Sequence, residues 1–270
     1  MSMVTSQKHV AKRQCRRATS MWKSDRVIVP QISASARQAF TLVELLVVIG
    51  ILAILAALIT PAIFQARVSA RNAAIKAEID MLHMAIMNYK NEYGSFPPSY
   101  SVGAGGAAES HVKRIFPRFT GTISNSTSPL NAIANWLRGF SSNPVDPLGA
   151  GRKKLYDFDQ SRLAGDVYYA SGKPKSPYIY FSNTDYDKFD SVTGVVSLGW
   201  PQSDQSYVVG SSTYTVSALT FAPQEDGTGN RFNSDTFQIL CAGLDEQWGT
   251  EDDLSNFWKG TRQDYLDSLE

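Results

Sequence analysis

The sequence predicts an α+β protein, one long N-terminal helix packed on an antiparallel β-sheet head, and three observations carry that reading. Residues 40 to 64 form an apolar run in which Glu44 is the only ionisable side chain. Beyond it, apolar residues recur at helical spacing up to Tyr93, and the second half of the chain holds short β-branched and aromatic runs separated by turns.

Residues 1–39 come first and are basic. They carry eight of the 26 Lys and Arg residues and a single acid, Asp25, whereas residues 40–270 carry 18 basic and 24 acidic residues. Phosphate binding needs a concentrated basic surface, and only this tail has one, so nucleic acid is not an expected partner of the chain. Cys15 and Cys241 are the only cysteines, which excludes a disulfide framework and a four-cysteine zinc site.

The apolar run, residues 40–64, spans about 37 Å as a helix against a hydrocarbon core of about 30 Å, long enough to cross a bilayer. The basic tail before it places the N-terminus in the cytoplasm and the remainder outside. A secretory signal cut after Val68-Ser69-Ala70 would need a shorter apolar stretch. That reading and a plain signal anchor both leave Glu44 unexplained, since a carboxylate near the bilayer centre costs up to about 3 kcal/mol.

Residues 65–94 continue the helix in amphipathic form, with Ile75, Ile79, Leu82, Ile86, Tyr89 and Tyr93 on one face. Pro61 should loosen the helix, and Gly94 with Pro97-Pro98 should end it. Met81, Met84 and Met87 read as adaptable core packing, His83 as a helix-surface residue.

The head, residues 95–270, opens with a flexible Gly-rich run at Ser101–Ala108, which includes neither a following Lys-Ser/Thr nor a preceding strand. His111 falls in this loop region. A short helix is expected around Leu130–Leu137 and a turn-dense stretch at Ser141–Gly151. Strands are expected at Tyr178–Phe181, Val195–Leu198, Tyr207–Val209, Thr213–Leu219 and Thr236–Cys241.

No nucleophile-elbow, P-loop or zincin motif occurs, and exposed turn acids account for pairs such as Asp157/Asp159 and Asp185/Asp187, so no enzymatic activity is expected. One segment stands apart. Residues 241–258 pack Asp245, Glu246, Glu251, Asp252 and Asp253 into nine positions around Gly249. Its spacing excludes an EF-hand. One reading has Thr250 capping a short helix whose first turn holds Glu251, Asp252 and Asp253; the other is a cation site.

Ala39-Phe40-Thr41-Leu42-Val43-Glu44-Leu45-Leu46 followed by an unbroken apolar run resembles the signal of type IV prepilins and type II secretion pseudopilins. The resemblance implies a pilin-like fold and cleavage between Ala39 and Phe40 on the cytoplasmic side by a prepilin peptidase/methyltransferase. It also implies N-methylation of Phe40 and retention of the helix. Ala39 stands where the family nearly always has Gly, and the leader is long. Cleavage would create an ammonium at Phe40, and in packed helices Glu44 of one subunit could neutralise the amine of the next.

Ala242-Gly243-Leu244-Asp245, Gly249 and Asp252-Asp253-Leu254 resemble the acidic loop of major type II secretion pseudopilins, which carries over calcium ligation to Asp245, Asp252 and Asp253. Carbonyls near Leu244 and Trp248 would complete the calcium shell. Asp146-Pro147-Leu148-Gly149 resembles that family's Asp-Pro-Trp-Gly turn. The expectation is therefore a structural subunit of a pseudopilus in the bacterial inner membrane, with its head in the periplasm. Its partners would be other pseudopilin subunits, minor ones included, the inner-membrane assembly platform and the secretion ATPase. A type IV pilus subunit is the alternative. Nothing in the resemblance accounts for the extra head sequence between about 150 and 235.

Overall fold

The computed structural model describes residues 40–188, 205–216 and 222–270. The leader with Ala39, the strand expected at Val195–Leu198 and residues 217–219 of the strand expected at Thr213–Leu219 lie outside these. The chain divides into two compact units, one ending at Ala53 and one running from Ile54 to Glu270. Helix α1, Leu42–Tyr93, belongs to both and continues through Pro61.

In α1 the buried positions are Ile75, Glu78, Ile79, Leu82, Ala85, Ile86 and Tyr89, the stripe that the 3–4 spacing predicts plus one acid. Among the described residues none before Ile75 is buried. Met81 and Met84 are 54% and 61% exposed, so they are not core packing; two residues past Ile79 and Leu82 the helix has turned to its open side. Only Met87 packs against the core.

Helix α2, Ala107–Ile115, forms where a flexible run gives way to it, and His111 lies buried on this helix rather than in a loop. Tertiary bonds organise the glycines ahead of it. The Glu109 carboxylate accepts from Gly105 N (3.0 Å) and Ile123 N (3.1 Å), and Ser101 Oγ accepts from Ala108 N (2.9 Å). Helix α3, Ala132–Leu137, fills the place of the expected short helix.

The strands are antiparallel throughout but form three sheets among the described residues, not one. A small pair, β1 (Leu163–Ala164) and β2 (Val167–Tyr168), precedes the central sheet. The central sheet consists of β3 (Ile179–Ser182), β6 (Phe237–Cys241) and β7 (Leu254–Ser255) in the order β3-β6-β7. A separate hairpin joins β4 (Gln205–Val209) to β5 (Ser212–Val216). A last helix, α4, Arg262–Asp267, begins with a capping box between Thr261 and Asp264.

Strands β3 and β6 are buried on both faces, which hides the usual alternation of polar and apolar residues. Tyr178, Tyr180, Phe237, Ile239 and Cys241 join the α1 stripe in one core. Ile179, Phe181 and Leu240 point the other way into a second core with Leu130, Tyr207 and Trp258. At about 1.5–3 kcal/mol per buried large side chain, this double burial fixes the register, because a one-residue slip would exchange the two sets. Ile179 pairs with Leu240 and Cys241 with Leu254.

Candidate functional site

At the N-terminus, the Thr41 backbone N–H and hydroxyl both donate to Glu44 Oε2 at 2.9 Å, and Thr41 Oγ1 accepts from Glu44 N at 3.2 Å. Thr41-x-x-Glu44 is a reciprocal capping box that starts α1. Phe40, just before it, is 75% exposed. None of the three bonds uses Glu44 Oε1.

The acidic segment connects β6 to β7. Residues 250–253 form a turn rather than a helix, so the helix-cap reading of Thr250 fails; the Thr250 hydroxyl instead donates to Asp252 Oδ1 (2.8 Å). Asp252 Oδ2 accepts from Leu244 N (2.6 Å) and Asp245 N (3.0 Å), folding the start of the loop onto its end. Gly243 permits that approach: a Cβ there would lie 2.2 Å from the Asp252 carbonyl oxygen and 2.4 Å from Asp252 Oδ2.

Asp253 faces inward and is only 6% exposed. Its Oδ2 accepts from Gly249 N (2.8 Å), while its buried Oδ1 has no hydrogen-bond partner. Burial, with the charges of Asp252 and Asp245, pushes its carboxyl up to about 7, against the Gly249 N–H and the Arg262 charge. Asp245 turns its Oδ1 to Gln247 N (2.7 Å). The Leu244 carbonyl accepts from Lys173 Nζ (2.6 Å), which also pairs with Glu246 (3.3 Å). The Trp248 side chain packs against the second core. The loop thus ties the Asp245 backbone to Asp252 and turns Asp253 inward, but the carbonyl expected of Leu244 is engaged elsewhere. Among the described residues no three acidic, His or Cys side chains converge as a metal centre.

Sequence reasoning missed Glu78. This acid sits on the apolar stripe of α1 and accepts from Arg162 Nη1 (2.8 Å) and Nη2, from Tyr178 OH (2.5 Å) and from Tyr168 OH (2.7 Å). Burial opposes its charge, yet Arg162, Tyr178 and Tyr168 together hold it below the usual carboxylate range. The signal was an acid between Ile75 and Leu82 at core spacing. The two histidines among the described residues are also structural: His111 Nε2 lies 2.8 Å from Tyr89 OH, and His83 Nδ1 lies 3.1 Å from Asn256 Nδ2.

A long helix beginning with an apolar segment, capped through Thr41 and Glu44 and followed by antiparallel sheets, is an α+β arrangement consistent with a pilin-like fold. Residues 34–60 match the family model of the prokaryotic N-terminal methylation motif, so the chain carries the signal that prepilin peptidase/methyltransferase enzymes process in type IV pilin-like proteins. No curated protein and no solved structure matches the chain. By length and composition α1 is long and apolar enough to cross a membrane, which is consistent with membrane anchoring.

Proposed function

We propose that the chain is a structural, non-enzymatic subunit of a type II secretion pseudopilus: cleaved after Ala39, methylated at Phe40 and polymerised through α1. Its partners in this reading are other pseudopilin subunits, the inner-membrane assembly platform and the secretion ATPase. The acidic loop between β6 and β7 carries the choice of secretion over a type IV pilus. Mass spectrometry of the membrane fraction should find a chain starting at N-methyl-Phe40. Deleting the gene should abolish export of secreted proteins and leave surface pili and twitching intact; loss of pili with normal export would reverse the assignment.

The same reading extends to calcium, supported by one observation: the buried Asp253 Oδ1 has no partner. In this proposal Asp252 and Asp253 hold the ion with Asp245, whose carboxylate must leave Gln247 N. Leu244 takes no part while Lys173 holds its carbonyl. A hard cation with flexible coordination suits this oxygen set and relieves the repulsion among three carboxylates. The detergent-solubilised full chain should melt higher with calcium than with chelator, and Asp253→Asn should erase the difference. Equal melting of the wild type under both conditions would reject the calcium site.

A further inference from the structure

We propose that the cleft between Arg138, the Gly151–Arg152 segment and residues 154–163 is a binding site for an acidic sugar, a saccharide ring bearing a carboxylate. This is independent of the pseudopilin assignment. The cavity measures about 490 Å3, and its walls include Arg138, Arg152 and Lys154 but no acid. That volume lies within the range of small-molecule sites.

The fold builds the charge pair on purpose-shaped backbone. Lys153 N donates to the Phe140 carbonyl (2.9 Å) and Leu155 N to the Leu137 carbonyl (2.9 Å), so the two segments run side by side and bring Arg138 next to Arg152. Gly139, at φ 69°, makes the approach possible, since a Cβ there would stand 1.9 Å from the Lys153 carbonyl oxygen. Arg138 pairs with Asp166, and Lys154 with the exposed Asp157 at 3.2 Å. Arg152 differs. Its Nε donates to the Leu148 carbonyl (2.9 Å), its Nη2 to the same oxygen, and no carboxylate forms an ion pair with it among the described residues. Backbone carbonyls orient this guanidinium but leave its charge unmatched, and Nη1 is not used in these bonds.

Burial and the neighbouring Arg138 push the Arg152 guanidinium down, against the more favourable charges of Asp146 and Asp166. A bound carboxylate would relieve both, as the fork geometry of a guanidinium favours. Beside the cations, Tyr156 and Phe158 meet edge to face with ring centroids 4.8 Å apart, and Gln160 adds an amide. Phe158 is buried behind Tyr156, so it is the partly exposed Tyr156 ring that, with the amide and the guanidinium, suits the apolar face, hydroxyls and carboxylate of a sugar acid.

Saturation-transfer NMR on the detergent-solubilised full chain tests this with glucuronate, glucose and inorganic sulfate. Glucuronate should give signals and glucose none, with sulfate displacing glucuronate only at higher concentration. Arg152→Gln should weaken glucuronate by about tenfold, the loss expected of one charge-assisted bond. Lys154→Glu, at an exposed position, should weaken it comparably and decides the matter if the Arg152 variant misfolds. Equal binding of glucose, sulfate as tight as glucuronate, no glucuronate signal, or unchanged affinity in Lys154→Glu would each overturn the proposal.

Discussion

Glu44 Oε2 is bound by both the backbone N–H and the hydroxyl of Thr41, each at 2.9 Å. The acid that draws notice in an apolar run is therefore already fixed by the residue three positions before it. A carboxylate so oriented keeps one oxygen for an outside partner, and in the proposed filament that partner would be the Phe40 amine of a neighbour. Glu44→Gln should be processed and inserted normally yet give few filaments, because an amide cannot neutralise a buried ammonium. Filament recovery after overexpression measures this, and a normal yield would make Glu44 a helix cap and nothing more.

Thr41→Ala separates the two roles. It removes the hydroxyl and keeps the charge, so helix entry should lose about 1 kcal/mol while filaments still form at a reduced yield. A yield as low as that of Glu44→Gln would mean that the cap, not the charge, governs assembly.

Glu78 ties α1 to Arg162, Tyr168 and Tyr178, and removing one member of a buried ion pair strands the other. Glu78→Ala should therefore destabilise the protein by about 3–5 kcal/mol, against under about 1 kcal/mol for Glu92→Ala, whose partner Lys153 is exposed. Chemical denaturation of the two variants makes the comparison.

The pH dependence of stability follows from two buried groups of opposite sense. Asp253, held up at about 7, keeps a proton in the folded state that the unfolded chain releases near 4, so its contribution falls as pH rises through that window. His111 is pushed down to about 4 by burial and by Arg114, so its contribution is lost as pH falls from the usual histidine range toward 4. Between about pH 4 and 6.5 the two slopes oppose one another. In chelator, Asp253→Asn should leave stability rising with pH across that interval, where the wild type is nearly flat; a flat profile in the variant would remove either Asp253 or His111 from the account.

Gly243→Ala should cost about 1–3 kcal/mol, because the new methyl meets the Asp252 carbonyl and carboxylate at 2.2 and 2.4 Å. Thermal melting reads the loss, and an unchanged melting temperature would show that the loop can open without consequence.

Much of this was legible in the chain. The buried stripe of α1 and the antiparallel strands at 179–182, 205–209, 212–216 and 237–241 follow from spacing and residue type. Helix α2 was not legible, because its start is set by side-chain bonds from Gly105 N to Glu109 and from Ala108 N to Ser101, which a glycine-rich composition does not announce. The two-residue strands β1, β2 and β7 are too short to show a period. At the acidic loop, composition identified the carboxylates but could not reveal that Lys173, 71 residues away, takes the Leu244 carbonyl. Long-range partners of this kind leave no local trace.

Because every residue of α1 ahead of Asn72 is exposed, a cut between the apolar segment and Asn72 separates the two without opening a cavity in the core. A protease acting on those exposed turns would shed the head with its interior intact. Recombinant production can use the same boundary, beginning the chain a few residues before Asn72.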